Sequence, residues 1–372
     1  MKCMTQAKEQ AQQSKQKTTT STCREAGNWF LSSGIQESNG GVARYFFSDR
    51  KCNAPPATEI TAYCASALVS LARQNSDTRY LDAAIAAASY LVSAWDADCS
   101  AMPFECAANG SRYSYFFDNG IIVRGLLAVW RECGKEEFLS TAIKVGDSMM
   151  RDFADGTHFS PILELPDKTA LTYEAARWSR SPGCYQLKSA LAWYELWEIN
   201  HDQRYLDCYR ELLQTSLASH ASYLPGPVDE LAVMDRLHPY SYFLEGLLPV
   251  IDEPAAQEAM AAGIELAIGF VQRLSPRFLR SDVVAQLFRA RLFADQHGVL
   301  PLDEAAAQNE VLILKSFQSD DTDPCLEGGF WFGKKNGETL PFMNPVSTAF
   351  CYQALEMWGR RGQAPLDWHC LV

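Results

Sequence analysis

The sequence contains no run of about 18 uncharged apolar residues, so no segment is long enough to cross a bilayer as a helix. It has no Cys-x-x-Cys pair, and its twelve Cys follow no regular spacing, which leaves no sign of a zinc ribbon or a disulfide framework. Basic residues are the scarcer charge: 33 Lys and Arg stand against 45 Asp and Glu, a net charge of −12. Such a chain repels phosphate backbones, and this argues against general nucleic-acid binding. The first residues, Met1–Thr22, lack the apolar stretch of a secretion signal and are rich in Gln, Lys and Thr. They are expected to form a disordered leader. Without an export signal the Cys are expected to be reduced thiols in a cytoplasmic protein. Several of them (Cys64, Cys208 and Cys351) fall on apolar helix faces, where a free thiol packs as a small hydrophobe. No His/Cys cluster has ligand spacing, so neither a metal nor another cofactor is expected.

What is present is a large apolar fraction. The 372 residues are 47% apolar and 21% charged, the composition of a folded chain. That length exceeds the size at which one core usually stops growing, so the options are two domains or one closed, repetitive architecture. Internal similarity favours the second. Ala67-Leu68 through Tyr80-Leu81-Asp82, Gly125-Leu126 through Phe138-Leu139, and Ala190-Leu191 through Tyr205-Leu206-Asp207 align with one another. Each is an apolar helix, a short polar turn, and an aromatic-Leu pair opening a second helix. The unit is a helical hairpin repeated at roughly 60–65 residues, with helix starts near Thr58, Asp118, Pro182, His238, Asp282 and Asn344.

The helices fall into two classes. Ile60–Leu71, Ile121–Trp130, Leu187–Trp197, Tyr242–Val250, Val283–Phe293 and Val346–Trp358 are apolar on nearly every face, the mark of a buried helix. Cys23–Leu31, Tyr80–Trp95, Glu136–Phe153, Tyr205–Ser219, Pro254–Leu274 and Glu304–Phe317 are amphipathic. Six of each in alternation predict an all-α closed double ring, an (α/α)6 toroid spanning 23–372 as a single domain. Strand-like composition is confined to Gly41–Phe47, Phe330–Gly333 and Glu338–Leu340, the last two joined by the turn-like Lys334–Gly337. These segments precede the first and last inner helices and are expected to meet across the ring closure.

The helix order, together with Ala57–Tyr63 (ATEITAY), Phe117–Gly120 (FDNG), His238–Leu247 (HPYSYFLEGL), Glu327–Phe330 (EGGF) and Asn344-Pro345, resembles the six-hairpin (α/α)6 proteins that act on carbohydrates. Within these the chain looks like bacterial polysaccharide-associated proteins related to the D-glucuronyl C5-epimerase catalytic domain. It is also similar to unsaturated glucuronyl hydrolases and N-acylglucosamine 2-epimerases. The resemblance covers about residues 22–360. It implies a carbohydrate substrate, uronate-containing or related, handled by acid/base chemistry as epimerase, hydrolase or lyase, in a monomer or homodimer. The fold also hosts non-enzymes.

In a closed ring the N-terminal ends of the inner helices form one mouth, with free N–H groups and partial positive charge. Residues at the six starts then converge. Pro239 suits the first position of a helix, which would make His238 its cap, facing the mouth, with Tyr242 one turn on. His238, Asp118, Tyr242 and Glu59 are therefore the candidate acid/base set. Tyr63, Asn119, Tyr185, Lys188, Tyr240, Asp282, Gln286, Glu327, Trp331 and Asn344 are candidate substrate-binding residues. Arg124 and Arg289 lie deeper and fit either a clamp on a substrate carboxylate or a buried ion pair, with Glu245 a suitable partner. Capping alone would account for Thr58, Asp118, Asp282 and Asn344. Trp178 and Trp331 could stack on sugar faces.

Two rival readings are kept. One is a catalytically silent toroid that binds glycan or protein during polysaccharide assembly. The other is a terpenoid-cyclase-like or prenyltransferase-like toroid, suggested by Ser319–Asp323 (SDDTD) and the His369-Cys370 tail. It lacks the first Asp of the cyclase motif, a set of Gln-Trp repeats and partner cysteines. A solvated acidic loop is the plainer account of SDDTD, with occasional divalent-cation binding its minor variant.

Overall fold

A computed structural model describes residues 18–75, 77–106, 112–156 and 158–372. Among these residues twelve α-helices alternate between two layers. The inner six are α2 (Thr58–Gln74), α4 (Phe116–Cys133), α6 (Leu187–Asn200), α8 (Val233–Gly246), α10 (Ser281–Gln296) and α12 (Pro345–Gly359). The outer six are α1 (Thr19–Ser32), α3 (Thr78–Ala94), α5 (Glu136–Asp152), α7 (Gln203–Ser219), α9 (Pro254–Leu274) and α11 (Glu304–Lys315). Each inner helix packs on the next, and α12 packs back on α2, closing an (α/α)6 toroid.

Composition explains the layering. Every residue of Ser281–Ala294 on α10 is buried. On α5 only Phe138, Thr141, Ala142, Val145, Gly146, Ser148 and Met149 are, a single stripe at helical spacing. Two glycines let the inner ring tighten around α4. A Cβ at Gly120 would lie 2.5 Å from the Ser189 backbone on α6, and one at Gly125 would lie 2.7 Å from the Ala62 carbonyl on α2.

The helix starts agree with the sequence reading at four hairpins; at the third, a 3-10 turn (Cys184–Gln186) lies between Pro182 and the start of α6 at Leu187, and the fourth is displaced the other way. There α8 begins at Val233 and runs through Pro239, so His238 lies inside the helix instead of capping it. Pro239 has no N–H to return to the Asp235 carbonyl, a local loss tolerated within a helix held by burial on both flanks. The first helix begins at Thr19, capped by the Thr18 hydroxyl, so the last residues assigned to a leader are helical; residues 1–17 lie outside the described residues. The Ser219–Val228 segment packs on α8: Arg236 donates to the Tyr223 carbonyl, and the Tyr223 ring stacks on Tyr240.

Short strands frame the mouth. Strand β1 (Phe46–Phe47) pairs antiparallel with β2 (Cys52–Asn53) and, across the ring closure, with Phe342–Met343. The expected partner, Phe330–Gly333, instead leads into Gly333–Lys335, which pairs with Phe278–Arg280 and with Glu338–Thr339. Asn336 and Gly337, both at positive φ, form the turn read from sequence. A third sheet joins Tyr113–Tyr115, Ile162–Glu164 and Thr169–Ala170. The eleven Cys among the described residues are all free thiols.

From the opposite end of the ring, Trp368–Val372 run into its centre, where the Val372 carbonyl accepts from Lys188 near the start of α6 (2.9 Å) and from Arg289 within α10 (3.4 Å). Gln353 Nε2 donates to the Cys370 carbonyl (2.7 Å), and Gln353 Oε1 accepts from Val372 N (3.0 Å).

Candidate active site

At the N-terminal ends of α2, α4 and α6 lies a cavity of about 200 Å³. It is lined by Glu59, Phe104, Tyr115, Phe117, Asp118, Pro161, Trp178, Ser179 and Tyr185. Glu59 is the second residue of α2 and Asp118 the third of α4, so the ring closure brings both carboxylates to one wall. Phe104 is fixed because its carbonyl accepts the first α2 amide, Thr58 N (3.0 Å), and the Thr58 hydroxyl. Tyr115 packs 5.3 Å from Phe104, and Trp178 stands edge-on 5.2 Å from Tyr185.

Neither carboxylate has an ion-pair or side-chain hydrogen-bond partner among the described residues. Asp118 is 6% exposed and Glu59 is open to the cavity. Burial raises Glu59 from 4.5 to about 7 against the opposing pull of the Lys188 ammonium. Burial, followed by the Glu59 charge, drives Asp118 well above the ordinary carboxylate range. Burial and mutual repulsion thus favour a proton held between the two carboxylates.

Directly behind the cavity Phe117 packs 4.5 Å from Tyr242. The Tyr242 hydroxyl lies 2.8 Å from His238 Nε2, and His238 Nδ1 lies 2.6 Å from Gln286 Oε1. With Gln286 accepting, Nδ1 carries the proton and Tyr242 donates to Nε2, a neutral imidazole assigned from the network. Burial pulls His238 down to about 4, against the nearby Asp282 carboxylate. His238 does not line the cavity, contrary to the expectation that it caps its helix and faces the mouth. Tyr63 is buried with its hydroxyl beside that of Tyr242.

The remaining sequence candidates divide by what they touch. Tyr185 lines the cavity and donates to the Ser181 carbonyl. Lys188 Nζ is committed to Glu245 (2.5 Å) and to the Val372 carbonyl (2.9 Å). Arg289 also binds Glu245 (2.5 Å), and Arg124 binds Glu195 (2.6 Å), which Arg131 holds from its other side. Both arginines are thus buried ion-pair members, and the clamp on a substrate carboxylate is not available. Asp282 is held by the Arg280 guanidinium at 2.7 and 3.0 Å. Asn119 donates to Ser114 Oγ and the Tyr115 carbonyl, fixing the turn into α4. Asn344 is the cap of α12, accepting from Val346 N. Thr58 and Asp118 are not caps; Ala57 and Tyr115 hold those positions.

Three candidates lie elsewhere. Tyr240 faces the outer layer, 3.2 Å from His220 Nδ1, because its position on α8 is the flank opposite to Tyr242. Glu327 is exposed on a loop whose Gly328 packs on the α1 backbone. Trp331 is half-buried beside the start of α10, where its carbonyl accepts from Ser281. Sequence reasoning did not find Phe104, Tyr115, Pro161 or Ser179, which come from irregular loops without periodic signal.

The acidic loop is explained by turns: Ser319 Oγ, Asp321 Oδ1 and Asp323 Oδ1 each accept a backbone N–H two residues on. Among the described residues no three His, Cys, Asp or Glu converge as metal ligands. His369 is bracketed by Asp367 and Glu198. Cavities of about 390 and 450 Å³ lie around residues 361–371, but their carboxylates Glu356, Asp367 and Asp295 are already paired with Arg360, His369 and Arg361. The carboxylates without a side-chain partner are in the smaller cavity, which is therefore the candidate site.

No protein-family model matches the chain, and no curated protein matches it either. Solved structures do. A D-mannose isomerase superposes with a TM-score of 0.69 at 11% identity, over 91% of this chain and 97% of that one. The cellobiose 2-epimerase of Spirochaeta thermophila DSM 6192 gives 0.67 at 14% identity, over 88% and 92%. An alpha-amylase from Clostridium perfringens gives 0.61 at 10%, over 91% and 98%. The chain shares its fold with these carbohydrate enzymes.

Proposed function

We propose that the protein is a carbohydrate-active enzyme that carries out acid/base chemistry on a sugar ring bound in the Glu59–Asp118 cavity. The observation that carries the reading is two carboxylates, Asp118 buried and Glu59 partly exposed, that have no side-chain partner and face one aromatic-lined space. Asp118, the more deeply buried of the two and driven upward by burial and by Glu59, is the candidate general acid. Glu59, poised near neutrality and made more anionic by Lys188, is the candidate general base. Such a pair serves protonation of a leaving glycosidic oxygen with activation of water, or proton removal and return at a ring carbon. Trp178, Phe117 and Tyr185 supply faces for stacking. His238, Tyr242, Tyr63 and Gln286 form the layer behind, which positions Phe117 and is not assigned proton transfer to substrate.

The test is turnover of a panel of mono- and disaccharides followed by NMR in D2O. Deuterium at a ring carbon identifies epimerisation or isomerisation, and new reducing ends identify hydrolysis. Asp118→Asn is expected to lower kcat about 10²–10⁴-fold with little change in melting temperature, since it keeps the side chain's shape. Sugar binding without turnover in the unaltered protein would instead establish the silent, glycan-binding reading.

A further inference from the structure

The cavity wall has an unusual balance. Five of its nine lining residues are aromatic (Phe104, Tyr115, Phe117, Trp178 and Tyr185), two are carboxylates, and none is a cation. The cations that flank it each have an acidic partner, though Arg44 also lies over the Phe104 ring (5.3 Å) with its Nε unpaired. Arg44 pairs with Glu105 at 3.0 Å, Arg180 with Glu174 at 2.5 Å, and Lys188 with Glu245. Asp118, though 6% exposed, keeps a carboxylate with no side-chain partner.

Buried carboxylates are normally matched by a cation, because an unpaired charge in a dry site is costly. Aromatic faces attract cations through their negative quadrupole. A uronate would add negative charge beside Glu59 and Asp118, and no cation lines the cavity to meet it. A protonated amine would supply the missing counter-ion, donating charge-assisted hydrogen bonds to the carboxylates while the ring faces lie against it.

We infer that the site takes a cationic amino sugar, a hexosamine with a free ammonium group, in preference to a neutral sugar or a uronate. This rests on the proposed carbohydrate reading and narrows it. When the ammonium binds, the proton shared by the two carboxylates is displaced to solvent.

The inference is tested by isothermal titration at pH 6.5 with D-glucosamine, N-acetyl-D-glucosamine, D-glucose and D-glucuronate. Wild type, Asp118→Asn and Glu59→Gln are compared after their melting temperatures confirm folding. D-glucosamine should bind about tenfold or more tightly than D-glucose, the scale of a charge-assisted hydrogen bond. Its heat should depend on the buffer, reporting proton release. N-acetylation, which removes the charge and keeps the ring, should abolish the preference, and either variant should reduce it several-fold. Equal binding of D-glucose and D-glucosamine, or tighter binding of D-glucuronate, overturns the inference and leaves the carbohydrate reading standing. If no sugar binds, including when cyclohexylammonium does, both fall together.

Discussion

Replacing Glu59 by Gln tests the electrostatics of the site without needing its substrate. A carboxyl raised from 4.5 to about 7 binds its proton more tightly in the folded chain than in the unfolded one. Folding stability then falls as pH rises from 4.5 through 7 and stays reduced above that, because the folded state must release a proton it favours. A change of this size corresponds to about 3 kcal/mol. Gln removes the titration, so the difference between variant and wild type should move in favour of Glu59→Gln by about 3 kcal/mol between pH 4 and pH 8.5. With an unfolding entropy of ~2.1 cal/mol/K per residue, a chain of 372 residues changes its midpoint by about 4 °C. Loss of the Glu59 charge also relieves Asp118, which acts in the same direction. Paired thermal melts across this pH range measure the difference, in which the other titrating groups largely cancel. A difference that stays constant with pH within about 1 °C would refute the reasoning: Glu59 would then titrate as an ordinary, solvated carboxyl.

Two further outcomes follow from the layer behind the cavity. His238→Ala should destabilise the chain by about 1–3 kcal/mol, since it leaves the Gln286 carbonyl buried without its partner. In the unaltered protein its ring should stay neutral by NMR down to about pH 4; protonation near 6.5 would contradict its burial. The depressed value means that His238's stability contribution is present above about 6.5 and is lost as pH falls toward 4. Lys188→Met removes the one cation that lowers Glu59, while Glu245 keeps Arg289. The acid limb of the kcat/KM profile should therefore move to higher pH, and an unmoved limb would show that Glu59 does not feel this charge.

The double ring was legible because it rests on a coarse signal. Helices apolar on every face alternate with helices apolar on one, and no packing of such a set other than two layers hides the first kind. Glu59 and Asp118 were legible for a related reason: polar residues at the openings of apolar helices must converge once the ring closes. The fourth hairpin was misread because proline is commoner at the first turn than inside a helix. Yet Val233–Leu237 continues the helix upstream of Pro239, and that displacement turns His238 from mouth residue to buried one. Arg289 found the partner expected for it, Glu245. The Arg124 partner, Glu195, was visible as a lone acid in the apolar run Trp193-Tyr194-Glu195-Leu196-Trp197, but nothing in the sequence says which buried charges will face one another. Of the aromatic wall, Trp178 and Tyr185 were among the candidates, whereas Phe104 and Tyr115 escaped because hydrogen bonds between non-helical segments set them.

Why the cavity keeps two unneutralised carboxylates is a matter of competing magnitudes. Each lies in the first turn of an inner helix, where the dipole favours a negative charge by about 0.3–1 kcal/mol, rising to ~2 in partly buried geometry. Desolvation of a carboxylate costs several kcal/mol, so the dipoles cannot hold both groups ionised. A cation could, and Lys188 lies near enough to bias Glu59, but its ammonium is turned to Glu245 and the Val372 carbonyl. Arg289 is drawn to the same Glu245, and Arg124 and Arg131 to Glu195. The ion pairs along the ring axis thus do two things at once. They satisfy polar groups where the inner helices meet, and they withhold positive charge from the mouth. Glu59 is left close to neutrality as a consequence of pairing elsewhere in the ring, and any group that reaches the cavity with a proton to share, or a positive charge to offer, meets a site that has not been satisfied by the protein itself.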